Sequence, residues 1–312
     1  MSVVVVLGGV NMDFIVESST IAAPGETREG SRFYTTPGGK GANQAVAAAR
    51  NLDNRIPVEM AGLLGDDRYS DEMRRYLELS GVGTKFLGSV QDEHCGTAVI
   101  LIDGDGENSV NAVYGANKLV DQEVASSVDE ILDERGTSIL LVQQEIPLDA
   151  TAAAMRIARR YGSTVILDPA PTRDEADFLL PLADIVTPNQ HEASELVGHE
   201  VSDRQSAHKA ARTIRESGVD TAIITLGDQG VWVESDGISE LVPGFEVITI
   251  ASVGAGDAFN GGLAAGLALG SDLLSAVRLG VATGALCVTR SGAQESMPTR
   301  TEVEQLLATL AM

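Results

Sequence analysis

The stretch Val247-Ile-Thr-Ile-Ala-Ser-Val-Gly-Ala-Gly-Asp-Ala-Phe-Asn-Gly-Gly262 joins an apolar, β-branched run to a turn of small residues and then to a helical pattern. Val247 to Ile250 reads as a strand, and a helix is predicted from about Asp257 to Leu269. A glycine turn that opens a helix leaves several backbone N–H groups without intrahelical partners, pointing along the axis. Gly254, Ala255 and Gly256 therefore make a candidate anion hole suited to a phosphoryl group. Asp257 sets a carboxylate beside that hole, where it would repel a phosphate unless it takes a proton from an attacking hydroxyl. The plainer reading makes Asp257 an N-cap behind a glycine-rich turn.

A second glycine cluster, Thr36-Pro-Gly-Gly-Lys-Gly-Ala-Asn-Gln-Ala-Val-Ala-Ala-Ala-Arg50, joins a tight turn to an alanine-rich helix. It is not a Walker A loop, because Lys40 is followed by Gly41 rather than by Ser or Thr. Nor does Gly8-Gly9-Val10-Asn11 complete a dinucleotide fingerprint. Gly8-Gly-Val-Asn-Met-Asp13 does place an amide and a carboxylate just past the first strand, where ligands bind in open α/β sheets. With Asn43 they suit a polyhydroxylated ligand, since each side chain can hold two hydroxyls; ordinary turn chemistry is the simpler account of any one alone.

Strands are predicted at Val3–Leu7, Val58–Gly62, Ser138–Gln143, Thr164–Asp168, Asp184–Thr187, Thr221–Thr225 and Gly230–Glu234. Helices fall between them at about Gly41–Leu52, Tyr69–Ser80, Asp149–Tyr161, His191–Leu196 and Ser206–Ser217. Such alternation argues for an α/β fold with a doubly wound, mostly parallel sheet and helices on both faces. At 312 residues one domain, 1–312, is expected. Two regions break the alternation: Phe14 to Thr36 has no helical pattern, and Gly96–Ile102 with Ser109–Tyr114 reads as a hairpin. The turn from Asp103 begins like a calcium loop, but Asn108 at position six and Tyr114 at position twelve exclude one.

Forty-five acidic against 22 basic residues give a net charge of −23, and only Lys40, Lys85, Lys118 and Lys209 are lysines. Such a chain suits a salt-rich, halophilic cytoplasm, where screening suppresses self-repulsion. Nucleic acid is disfavoured as a partner by the sign of the charge. No apolar run approaches the length of a membrane span, and no charged-then-apolar leader precedes Val3, so a cytoplasmic protein with no membrane partner is expected. Cys95 and Cys287 lack zinc spacing and are expected to be free buried thiols.

Together these segments resemble the ribokinase family of carbohydrate kinases, of the ribokinase/phosphofructokinase-B type, over nearly the whole chain. Gly8 to Asp13 resembles the N-terminal sugar-contacting segment, Pro24-Gly-Glu-Thr27 the element that follows it, Gly38 to Ala45 the first family signature, and Gly254-Ala-Gly-Asp257 the core of the second. Between them, in family order, lie Gly62-Leu-Leu-Gly-Asp66, Asp103 to Asn108, Asp168-Pro-Ala-Pro171, Pro188-Asn-Gln-His-Glu-Ala193 and Thr225-Leu-Gly-Asp-Gln-Gly230. Gly41 to Ala48, Gln144-Glu145 and Ser291-Gly-Ala-Gln-Glu-Ser296 are most similar to the members that act on D-ribose.

The resemblance implies transfer of the γ-phosphate of ATP to the 5-hydroxyl of ribose. It implies a small β-sheet lid from segments about 12–37 and 96–115, through which two subunits pair as a homodimer. Asp257 would be the base, and Gly254, Ala255 and Gly256 the anion hole. Asn11, Asp13, Gly39, Lys40, Asn43 and Glu145 would contact the sugar; Asn189, Thr225, Gly227, Gly230 and Gly256 would contact ATP. Asn189 and Glu192 would organise Mg2+ through water, although a helix cap and a first-turn acid explain them equally. Val253, Ser291, Gly292 and Ser296 match a monovalent-cation site, but Ala251 stands where the family carries an aspartate, so K+ is held weakly or not used. Other acceptors (2-keto-3-deoxygluconate, fructose, nucleosides) and a non-catalytic sugar- or nucleotide-binding protein remain alternatives.

Overall fold

A computed structural model of the chain describes residues 2–105, 108–136 and 138–309. Its strands in chain order are β1 (Val4–Leu7), β2 (Asn11–Glu17), β3 (Arg32–Gly38), β4 (Val58–Leu64), β5 (Val82–Ser89), β6 (Gly96–Ile102) and β7 (Asn108–Val113). They continue as β8 (Ile139–Val142), β9 (Thr164–Leu167), β10 (Ile185–Val186), β11 (Thr221–Thr225), β12 (Val231–Ser235) and β13 (Ile238–Val242). The helices are α1 (Lys40–Leu52), α2 (Arg68–Leu79), α3 (Gln122–Ala125), α4 (Ser127–Arg135) and α5 (Leu148–Arg160). After them come α6 (Gln190–Val197), α7 (Arg204–Glu216), α8 (Ala255–Ala268), α9 (Leu273–Cys287) and α10 (Arg300–Ala308).

Nine strands form one sheet in the order β13-β12-β11-β10-β9-β8-β1-β4-β5, parallel from β11 to β5 and antiparallel at the β11–β12–β13 edge. The doubly wound sheet expected from the alternation is therefore present. Strand β1 shows why it is covered on both faces. Val4 and Val6 pack into one core cluster, whereas Val3, Val5 and Leu7 at the neighbouring positions pack into another. A continuous apolar run with period-two side chains needs a helical layer on each side.

The two irregular regions supply a second, smaller sheet. Strands β3-β2-β6-β7 form a separate four-stranded sheet, with β2 parallel to β6 and antiparallel pairs on either side. The β6–β7 hairpin matches the sequence reading, although Gly106 and Glu107 of its turn lie outside the described residues.

The quoted opening stretch differs in one respect. Val247–Ile250 is not a strand: residues 243–249 belong to no strand, and Ile248 and Ile250 are 85% and 63% exposed. Pro243-Gly244 ends the sheet edge at β13, and a β-branched run without a neighbouring strand has no ladder to join. Ile250 N and Ala251 N instead share the carbonyl of Val288, at 2.7 and 3.2 Å. The alternation read from the sequence also omits β5, β13, α3, α4, α9 and α10.

Helices α1 and α8 set the site's geometry. Ala47 and Ala48 on α1 face Gly261 on α8, where an added Cβ would collide with Ala47 Cβ and the Ala48 backbone. This close approach brings the first turns of the two helices together beyond the carboxyl ends of the parallel strands.

Candidate active site

Gly254 caps α8 with φ +78°, a left-handed conformation that glycine reaches without strain, and no side chain caps the helix start. The Ala255 amide donates to the Ser252 carbonyl at 3.3 Å, while the amides of Gly256 and Asp257 that follow it are the ones a helix start offers to a ligand. Asp257 is the third residue of α8, so the N-cap reading does not hold. Its carboxyl is only 5% exposed, with Oδ2 accepting from Asn43 Nδ2 at 2.8 Å and Oδ1 from Gln44 Nε2 at 3.1 Å.

A cavity of about 180 Å³ opens here, bordered by Lys40, Asp168, Asn189, Glu192, Gly254–Gly256 and Asp257, with Thr187, Thr225, Ser252 and Asn260 completing the wall. A larger depression of about 690 Å³ runs along α7, but it is a shallow surface feature remote from these groups.

The lid side contributes Asn11 and Asp13 from β2. Asn11 Oδ1 accepts from Asn117 Nδ2 at 2.8 Å, and Asn117 also bonds both backbone groups of Val10, so it fixes the chain at the end of β1. Asn117 was not singled out by the sequence; it lies on a short 3₁₀ turn whose placement only the fold provides. Glu145 Oε2 accepts from the Lys40 amide at 2.8 Å, at the start of α1 behind Gly39.

Charge is concentrated in this space. Burial, then Glu145, Glu295 and Asp257, push the Asp13 carboxyl up to about 7. Burial likewise pushes Glu145 up to about 7, against the opposing pull of Lys40 and the Lys40 amide. Asp168, fully buried, is raised well above the usual carboxylate range, and Glu192 is raised by burial despite its bond to the Asn189 amide. Burial alone would lower Lys40, but Asp168, Asp257, Glu145 and Glu192 more than offset it and hold the ammonium above its ordinary value. Two acceptors here, Asp13 Oδ1 and Asn43 Oδ1, are buried with no hydrogen-bond partner. Buried acceptors are costly unless something fills them.

Asn189 and Glu192 satisfy one another in a capping box at the start of α6: Glu192 N donates to Asn189 Oδ1 at 2.9 Å, and Asn189 N to Glu192 Oε2 at 2.8 Å. Both residues border the cavity. Among the described residues no cluster of three or more His, Cys, Asp or Glu could hold a metal by itself. Thr225 borders the cavity through its bridge to Asn189; Gly227 and Gly230 do not, and shape the turn behind it.

The segment from Ser291 to Ser296 closes the far side. Ser296 Oγ donates to the Ala293 carbonyl at 2.7 Å and lies 3.0 Å from Cys287 Sγ, which in turn lies 3.8 Å from the Val253 carbonyl. Both cysteines are free and buried, and burial pushes the Cys287 thiol up to about 11. The side-chain groups beside the Val253 carbonyl are thus a thiol and, next to it, a hydroxyl, and Ser291 is exposed. Glu295 accepts from Thr36 Oγ1 and Gln294 Nε2 donates to the Gly38 carbonyl, tying this segment to β3 of the lid. His191 is exposed and lies 3.4 Å from Glu195.

Comparison with known proteins is consistent along the chain. The profile of the pfkB family carbohydrate kinase matches residues 1–300. Ribokinase of Haemophilus influenzae is 39% identical over 302 residues, covering 97% of each chain. Ribokinase of Bacillus subtilis is 37% identical over 303 residues, covering 97% of this chain and 98% of its own. The structure of Arabidopsis thaliana ribokinase complexed with ribose and ATP superposes with a TM-score of 0.88 at 31% identity, covering 98% of both chains.

Proposed function

The chain belongs to the pfkB family of carbohydrate kinases, and we propose that it transfers the γ-phosphate of ATP to the 5-hydroxyl of D-ribose. The observation that carries the choice of acceptor is the pair of buried, unpartnered oxygens, Asp13 Oδ1 and Asn43 Oδ1, beside Asp257. Acceptors in fixed positions suit the vicinal hydroxyls of a furanose, with Asn11, Gly39, Lys40 and Glu145 completing the wall.

Asp257 takes the proton of the 5-hydroxyl, and the freed oxygen attacks the γ-phosphorus as its bond to the ADP oxygen breaks. The amides of Gly254, Ala255 and Gly256 stabilise charge on the transferring group. Asn189, Thr225, Gly227 and Gly230 form the nucleotide side.

Magnesium, when bound, neutralises phosphate charge. The residues fit an ion held mainly by water and phosphate, since Asn189 and Glu192 border the cavity and, among the described residues, no cluster of three or more carboxylates, His or Cys could hold a metal by itself. For a monovalent cation the donor set of Val253, Ser291, Gly292 and Ser296 is neutral and Ala251 adds no oxygen, so K+ is held weakly.

Phe33, Val110 and Val113 are each more than half exposed on the lid, which supports pairing of two copies there. The chain is read as one domain, and the acidic balance supports a salt-rich cytoplasm. Among the described residues no helix is long and apolar enough to cross a membrane.

An ADP-release assay over ribose, 2-deoxyribose, fructose, 2-keto-3-deoxygluconate and adenosine tests the acceptor. Ribose should show the highest kcat/KM. A better keto-acid or nucleoside would overturn this acceptor and leave family membership intact.

A further inference from the structure

Asp257 is gripped from beneath by a buried amide chain. Gln44 Nε2 donates to Asp257 Oδ1 at 3.1 Å and to Asp168 Oδ2 at 2.8 Å. The carbonyl end of Gln44 accepts from Gln143 Nε2 at 2.6 Å. An ionised Asp257 can only accept, so the Gln44 nitrogen must face it, and the bond from Gln143 locks that orientation. Gln143 in turn occupies space left by the first glycine turn, for a Cβ at Gly8 would collide with Gln143 Oε1.

Gln44 and Gln143 are both fully buried, and neither borders the cavity, although Asp168 and Asp257 do. They therefore act on the site through Asp257 rather than by touching a ligand. A buried polar chain costs stability that an apolar pair of the same size would not, unless it serves to fix a geometry. The groups facing Asp257 explain the need. Asp13, Glu145, Asp168 and Glu192 surround it with carboxyls, the Cys287 thiol is neutral, and Lys40 supplies the opposing charge. Two amide donors, from Asn43 and Gln44, hold the two oxygens of the Asp257 carboxyl in place among them.

From this geometry we infer that Gln44, locked by Gln143, is the positioning residue of the general base, aligning the Asp257 carboxylate with the acceptor hydroxyl between two neighbouring acids. The inference rests on Asp257 being that base, and the test uses whichever acceptor the panel above ranks first, so failure of ribose as substrate leaves it standing.

Gln44→Glu keeps the length and volume of the side chain but exchanges the donating nitrogen for an oxygen. Protonated, the new carboxyl still donates one hydrogen bond. Ionised, it places a third negative charge between Asp168 and Asp257. The variant's kcat should fall roughly 10²-fold above neutral pH, as expected when a base is misaligned. Its kcat/KM should gain a basic limb, declining as pH rises, that the wild-type enzyme lacks, while acceptor binding measured by calorimetry stays close to wild type. A merely structural role would lower acceptor affinity and melting temperature along with kcat, rather than kcat alone. Gln143→Met removes only the lock and should lower kcat roughly ten-fold without the new limb. A folded Gln44→Glu enzyme with wild-type kcat and pH profile overturns the inference. If Gln44→Glu does not fold, Gln143→Met decides by the same split: a loss in kcat with intact acceptor affinity supports it, and full kcat overturns it.

Discussion

Asn43 Nδ2 donates to Asp257 Oδ2 at 2.8 Å, so the first turn of one helix holds a carboxylate on the first turn of another, 214 residues away in sequence. Asn43 thus serves two surfaces, with its amide nitrogen on Asp257 and its unpartnered oxygen left for a ligand. Together with the bond from Gln44 Nε2 to Asp257 Oδ1, the Asn43 bond joins the first turns of α1 and α8.

Asp257→Asn keeps the shape and removes the base. Its kcat should fall by about 10²–10⁴-fold while ribose affinity largely survives. Steady-state kinetics with calorimetric ribose binding checks this, and near-normal turnover in a folded variant would refute the role of Asp257.

The acidity of Asp13 links binding to stability. Its folded-state value of about 7 exceeds the ordinary carboxylate value, so between about 4 and about 7 the folded chain binds more protons than the unfolded one. The contribution of Asp13 to stability therefore declines as pH rises through that window and is level above it. Asp13→Asn should stabilise the ligand-free protein above neutral pH, by on the order of 2–4 kcal/mol at most, and make no difference near pH 4, as about 1.36 kcal/mol per tenfold in acidity requires. The same variant should raise the KM for ribose strongly. Thermal unfolding at the two pH values checks the sign; a destabilised variant above neutral pH would show that burial of the charge is not what Asp13 costs the fold.

Two glycines of α8 should behave oppositely. A Cβ at Gly261 meets α1, whereas one at Gly256 meets nothing within 4 Å. Gly261→Val should destabilise by about 1–3 kcal/mol or more through overpacking. Gly256→Ala should leave stability unchanged or raised by up to about 1 kcal/mol, since alanine is the better helix former. Because Gly256 borders the cavity, that variant should nonetheless lose activity. Melting curves beside kcat separate the two; equal melting temperatures would contradict the packing account.

Salt should act in two ways. With 45 acidic residues the fold is expected to gain stability with ionic strength whatever the cation. Activity at constant ionic strength, with K+ exchanged for tetramethylammonium, should show only a shallow K+ dependence, because the side-chain groups beside the Val253 carbonyl are a thiol and a hydroxyl. Ala251→Asp should lower the K+ concentration needed for half-maximal activity. Saturation of the wild type by a few millimolar K+ would show that residue 251 does not set that site.

The sequence by itself determined the sheet and the glycine turn that opens α8. Apolar strand runs alternating with helical periodicity admit few arrangements, and the glycine turn at Gly254–Gly256 is local chemistry that a short window contains. It also marked Asn11, Asp13, Asn43 and Asp257, because polar groups just past strand ends and on glycine-opened helices stand out against apolar neighbours, whereas Glu145 came only from the family resemblance. Asp168 carried the same signal at the end of β9, yet the positional rule alone gave it no partner. Only the tertiary structure decided that Val247–Ile250 stays out of the sheet, since strand formation depends on a free neighbouring edge and not on the run itself. It alone joined Gln143, Gln44, Asp168 and Asp257, which lie far apart in the chain and meet because alanines and a glycine let α1 and α8 pack closely. Hydrogen-bond partners across such distances are set by packing, which no local pattern encodes.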